Sequence, residues 1–209
     1  MSLGLSLFVL GVIVVVGWFA AGTQYNIRKG HAAMRWLQDG LPRVGEKTNL
    51  RWLGSSVVEL NIQQAKSPFR TATVMVVLEP RDVAPLWAFT RLRGRRDLFI
   101  FRAVLEKVPR TEFETFDPTS WSTRGIAARL QHDQWTQLPI PAPLVAYAPS
   151  QSPTASDLAS AAALDACPLV RMAIHRSEPH FEVQCRLDSL RQHSADKVFD
   201  TIHRLAVKL

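Results

Sequence analysis

Residues 3–22 (LGLSLFVLGVIVVVGWFAAG) form an almost unbroken apolar run, and the first charged side chain is Arg28. As a helix rising 1.5 Å per residue, such a run is about 30 Å long, the thickness of a bilayer's hydrocarbon core. Trp18 and Tyr25 sit near its exit end, where their amphipathic rings suit the headgroup layer. Gly17 and Ala21 are four apart, a spacing that lets a second membrane helix approach, although small residues are common in membrane helices generally. A signal peptide is the competing reading, with Ala20, Ala21 and Gly22 as cleavage residues. Nothing basic precedes the run, however, and it exceeds the usual apolar stretch of about 7 to 15 residues, so an uncleaved anchor is favoured.

The pattern stays helical from residue 24 to about 39, with Ile27, Met34, Leu37 and Leu41 toward one side, until Gly40 and Pro42 end it. Two arrangements fit. The membrane helix continues as a stalk, or it bends near Gly30 and lays a basic helix on the membrane with Trp36 in the interface.

Period-two alternation then takes over. Residues 57–63 and 70–78 pair as a hairpin that sets Val58 against Val76, Leu60 against Val74 and Ile62 against Ala72, leaving Glu59, Asn61 and Gln63 on the opposite face. Residues 49–53 add a short leading strand. A short helix at 84–92, strands at 98–106 and 111–116, and a helix at 118–131 capped by Asp117 follow. The order helix, strand, strand, helix recurs with an Ala-rich helix at 154–166, a hairpin at 169–187 and a terminal helix at 194–207. In that last helix Val198, Ile202 and Leu205 form the apolar side, with Phe199 and Ala206 at its margin. Between the two runs lie residues 139–153, five of them proline, read as a packed arm or a boundary, with an edge strand near Tyr147 as one form of the arm.

The predicted fold is α+β: one N-terminal transmembrane helix, then a soluble domain of antiparallel hairpins packed with helices, with two helix–strand–strand–helix units as a finer option. Its parts are an anchor (1–27), a juxtamembrane helix or stalk (28–47) and the soluble domain (48–209). A subdivision into 48–138 and 154–209 about the Pro-rich arm is the finer option for the domain.

In the 169–187 hairpin, pairing His175 with His180 sets Ile174 against Phe181, Met172 against Val183 and Val170 against Cys185, all apolar. The other face takes Arg171 with Gln184 and Ala173 with Glu182. Cys185 is thus a buried thiol and Cys167 lies beyond Val170, which suits a reducing compartment.

Charge changes the picture more than composition does. The formal net charge is +7, and all of it lies outside the apolar run. Arg28, Lys29, Arg35, Arg43, Lys47 and Arg51 crowd the C-terminal flank, which predicts a cytoplasmic C-terminal domain at the cell membrane. A second basic cluster lies in residues 85–96 (PLWAFTRLRGRR), where Trp87 and Phe89 accompany Arg91, Arg93, Arg95 and Arg96. Guanidinium forks suit phosphate oxygens, and aromatic rings suit an interface. Trp87, Arg91, Arg93, Arg95, Arg96, Arg28, Lys29 and Arg35 are therefore the candidate lipid- or partner-binding residues, with Arg124 and Arg129 as an extension. Gly17 and Ala21 are the candidate helix-packing residues. A packed helix with a solvated basic turn is the plainer reading of the cluster, and single-stranded nucleic acid the least favoured, for want of an interleaved aromatic platform.

No phosphate-cradling glycine loop, HExxH or Gly-x-Ser-x-Gly pattern occurs in the chain. His175 and His180 with Glu178 are a weak candidate for a metal, and His132 beside Asp133 is no dyad by adjacency alone; no metal site, catalytic residue or cofactor is assigned. The expected function is a non-enzymatic accessory or scaffolding component of a membrane-associated assembly. Its partners are membrane lipids, through the N-terminal helix, and another membrane protein, with a homo-oligomer left open. The alternatives are an anionic-lipid-binding module and a membrane-tethered enzyme whose site is assembled from distant residues.

Overall fold

A computed structural model describes residues 2–162 and 169–209. The chain is α+β, a long apolar N-terminal helix followed by a domain of sheet and helices. Helix α1 (Leu3–Gln38) runs unbroken for 36 residues and is long and apolar enough to cross a membrane. It stays helical through Gly30, so continuation is the observed arrangement, and it is no free stalk. Asn26, Gly30, Ala33, Met34 and Leu37 recur at helical spacing and are all buried in the domain. Gly30 leaves the space that the Trp52 ring fills, since a Cβ would come 2.5 Å from its Cη2. Trp36 donates its indole N–H to the carbonyl of His193 at 3.0 Å, a contact inside the domain. A 3-10 turn with Pro42 (Leu41–Arg43) ends the helix.

The described residues form one nine-stranded sheet. Its strands are β1 (Thr48–Leu53), β2 (Val57–Ile62), β3 (Phe69–Val77), β4 (Leu98–Leu105), β5 (Phe113–Phe116), β6 (Thr136–Leu138), β7 (Val145–Ala148), β8 (Leu169–Ile174) and β9 (Phe181–Arg186), in the order β1-β2-β3-β4-β9-β8-β5-β7-β6. All neighbours are antiparallel. The β2–β3 register is the one the alternation predicts. In β8–β9, Ile174 opposes Phe181 and Met172 opposes Val183 as expected, but Leu169 rather than Val170 opposes Cys185. A register shift between Leu169 and Arg171 makes Val170 the extra residue, and its carbonyl accepts the N–H of Asp117 at 2.9 Å. Cys185 is buried. Cys167, and the end of the expected Ala-rich helix, lie outside the described residues.

The β8–β9 hairpin inserts between β4 and β5, so the two helix–strand–strand–helix runs interleave in one sheet. The main core lies on the face covered by the C-terminal part of α1, by α4 (Pro153–Ala162), the short α5 (Leu187–Leu190) and α6 (Ala195–Val207). Phe101 is its centre, edge-on to Phe69, Phe181 and Phe199. Phe199 and Ala206, expected at the margin of α6, are buried, whereas Leu205 is only partly so.

Of the two helices predicted between residues 84 and 131, one differs from expectation. Helix α2 (Ala84–Leu92) forms as predicted. The predicted helix at 118–131 is instead a 3-10 turn (Trp121–Thr123) followed by α3 (Ile126–His132), because Gly125 at φ +82 breaks the helical path. Asp117 still works as a local cap, its Oδ1 accepting the Thr119 N–H at 2.9 Å. In the Pro-rich arm, β7 lies inside the sheet between β5 and β6, with Tyr147 stacked on Phe116, so β6 takes the edge.

Candidate functional site

The chemistry concentrates where α1 meets the domain. Asn26, fully buried, donates to the Glu79 carbonyl at 3.0 Å and to Ser56 Oγ at 3.2 Å, and accepts from Arg81 at 3.2 Å. Arg81 forks onto both oxygens of Asp97 at 3.0 Å each. The backbone N–H of Glu79 adds a third hydrogen bond to Asp97 at 2.6 Å. Lys29 reaches Asp97 at 2.6 Å and Asp188 at 2.8 Å. Glu79, also buried, accepts from the Trp87 indole at 2.7 Å and from Arg91 at 3.0 Å. Three carboxylates thus meet three cations, which is what burial of charge demands. Burial alone would raise the Asp97 pKa, but hydrogen bonds from Arg81, Lys29 and Glu79 outweigh it and hold the carboxyl below its ordinary value.

The predicted binding residues fall into two groups. Lys29, Trp87 and Arg91 are committed to this clasp. Arg28 and Arg35 point outward from α1. Arg93 lies over the Phe89 ring at 4.1 Å, and Arg95 over Trp121 at 5.3 Å. Arg96 donates to the carbonyls of Arg91 and Arg95, while Arg124 donates to the carbonyl of Arg93 at 2.8 Å and so does extend this cluster. Arg129 does not; it pairs with Glu114 at 2.5 Å. A Cβ on Gly17 would meet nothing within 4 Å, whereas Ala21 lines a cavity of about 180 Å³ with Trp18, Gly22, Tyr25, Arg81 and Trp87.

The second polar region is the sheet face away from the main core. One cross-strand row runs Asn61, Thr73, Arg102, Glu182, Ala173, Glu114. Arg171 bridges the two glutamates that flank Ala173, at 3.0 Å to each. Glu114 is fully buried and also pairs with His175 at 3.1 Å. Burial pushes its pKa up, but the His175 hydrogen bond and the charges of Arg171 and Arg129 win and hold it low. A carboxylate kept ionised in this way acts as a counter-ion rather than a proton donor. Beside it, Glu59, Asn61, Thr73, Met75, Arg102 and Glu182 line an open groove of about 620 Å³.

The weak metal candidate separates. His180 is buried and its Nδ1 accepts the Leu105 N–H at 3.1 Å, His175 faces Glu114, and Glu178 pairs with Arg70. No group of metal-ligating residues is found among the described residues. Sequence reasoning missed Glu79, Arg81, Asp97 and Glu114. The available signal was two acidic residues, Glu79 and Asp97, framing a segment in which Arg81, Arg91, Arg93, Arg95 and Arg96 outweigh the lone Asp82. Comparison with known proteins found no match, either to a family model or to a curated protein.

Proposed function

We propose that this is a single-pass membrane protein of the cell membrane whose cytoplasmic α+β domain binds other proteins, as a non-enzymatic accessory or scaffolding component of a membrane assembly. The observation that carries the reading is the union of span and domain. The last turns of α1 belong to the domain core through Ala33, Met34 and Leu37, and the Asn26–Lys29–Arg81–Asp97 clasp locks the exit point. A domain joined in this way stands at a fixed height and angle above the bilayer, which is what a positioning component needs. The cytoplasmic side follows from the basic flank of the span. Two surfaces are available to partners: the face of the span that carries Gly17, and the open groove on the polar sheet face.

Extraction of the tagged full-length protein from its own membranes in mild detergent, followed by sizing and mass spectrometry, tests this. Stoichiometric partners are expected, and Gly17→Leu or Arg102→Glu should release them. Recovery as a lone monomer, with no membrane assembly altered by its removal, overturns the reading.

A further inference from the structure

We infer that α2 lies in the interfacial layer of the bilayer that α1 crosses, and that Arg93, Arg95, Arg96 and Arg124 at its C-terminal end bind the phosphates of anionic lipid headgroups there. The inference rests on α1 being a membrane span and goes beyond anchoring by that span alone.

The first support is the inverted pattern of α2. A helix on a water-soluble domain buries its apolar side and turns a polar side outward. In α2 the one buried residue is Thr90, whose hydroxyl donates back to the Leu86 carbonyl at 2.8 Å. Pro85, Leu86, Ala88, Phe89 and Leu92 are all exposed, with Phe89 at 52% and Leu92 at 89%. An outward face composed almost wholly of apolar residues calls for an apolar neighbour.

The second support says what that neighbour is. Trp18 of α1 and Trp87 of α2 lie with ring centroids 5.9 Å apart, and the Trp18 indole donates to the Arg81 carbonyl at 2.9 Å. Gly22 has no side chain where the backbone of Arg81 and Asp82 presses against α1. Trp18 is four residues before the end of the apolar run, so it sits about 6 Å inside that end. The segment leading into α2 and the start of α2 itself are therefore held at the depth of the headgroup boundary, where Trp side chains concentrate. An amphipathic helix buries its apolar side to about this depth in a membrane surface.

The third support is charge. Among the described residues, Arg93, Arg95, Arg96 and Arg124 form no ion pair, unlike Arg91 and Lys29, which the clasp neutralises. Aromatic rings and backbone carbonyls already hold the four in place. Four positioned, uncompensated guanidinium groups beside a membrane match a layer of phosphates.

The test uses the full chain in proteoliposomes of phosphatidylcholine, alone or mixed with phosphatidylserine. Nitroxide labels are placed one at a time at Leu92→Cys and, as a control on the polar sheet face, at Thr71→Cys, in a Cys167→Ser background. Their accessibility to oxygen and to a water-soluble nickel chelate is then measured. The label at position 92 should be oxygen-accessible and protected from nickel, and the label at 71 the reverse. In the mixed vesicles the protein should enrich phosphatidylserine around itself, and each Arg→Gln change at 93, 95 or 96 should weaken that enrichment about fivefold at low salt. A label at 92 open to nickel, shielded from both reagents by a protein contact, or an enrichment indifferent to the arginines overturns the inference. If alkaline carbonate releases the protein from the vesicles, the span itself fails and the inference with it. Retention with a water-exposed position 92 defeats this inference alone.

Discussion

Lys29 Nζ lies 2.6 Å from Asp97 and 2.8 Å from Asp188, so one ammonium ties the helix leaving the apolar run to the start of β4 and to α5. Asp97 is the hub of that tie, since Arg81 and the Glu79 N–H converge on it as well. Removing it leaves Lys29 with only the exposed Asp188, and Arg81 with only Glu79 at 3.6 Å, as ion-pair partners. Asp97→Ala should therefore lower stability by about 3 kcal/mol, and Lys29→Met by only about 1 kcal/mol because Arg81 still neutralises the carboxylate. Thermal unfolding of the detergent-solubilised protein checks both, and equal losses would show that Asp97 is not the hub.

Acid should undo the same contacts. Asp97 and Glu114 have pKa values held below the ordinary carboxylate range in the folded chain. On acidification the unfolded chain takes up these protons first, so the stability they supply is complete above the ordinary values and is lost as pH falls through them toward the depressed ones. The unfolding midpoint should stay level from neutral pH to about 5 and drop below about 4. Glu114→Gln should flatten that drop. Arg171→Met, which removes one of the cations holding Glu114 ionised, should lower stability near neutral pH and shrink the drop, because the folded pKa moves back toward the ordinary value that sets the onset. Matching profiles for both variants and the parent protein would contradict this account.

Phe101 is fully buried among Phe69, Phe181 and Phe199 and joins α6 to the centre of the sheet. Phe101→Ala should cost about 3 to 5 kcal/mol through lost burial and the cavity left behind, read from the urea midpoint. Phe101→Leu should recover much of it.

Gly22 tests the fit between α1 and the segment entering α2. A side chain there would collide with the backbone of Arg81, which cannot swing aside as a flexible side chain can. Gly22→Val should destabilise by about 1 to 3 kcal/mol and open the link between β3 and α2 to protease, whereas Gly17→Val, with open space around it, should do neither. Protease resistance retained in Gly22→Val would show that α1 and this segment are not in contact.

The apolar run, the β2–β3 register and most of the β8–β9 pairing were legible because they rest on local order: a continuous apolar stretch, or alternation on either side of one turn. The insertion of β8–β9 between β4 and β5 was not. Every inner strand of this sheet presents an apolar face, so alternation says which side of a strand is buried but not which distant strand lies beside it. The bulge at Val170 was hidden for a related reason, because Leu169 and Val170 are both apolar and either could oppose Cys185. The arginine cluster was visible, but its division between Arg91, held by Glu79, and the unpaired Arg93, Arg95 and Arg96 depends on a carboxylate twelve residues before Arg91. The Arg171 bridge between Glu114 and Glu182 likewise joins three strands that no short motif links.

The unbroken passage of α1 from apolar run to domain core makes the molecule a shaft with a dial fixed to it. Each residue of a helix turns its axis by about 100°. On the proposed membrane reading, a partner that selects one face of α1 also chooses the compass direction in which the groove at Asn61 and Arg102 points, because α1 runs unbroken into the domain core.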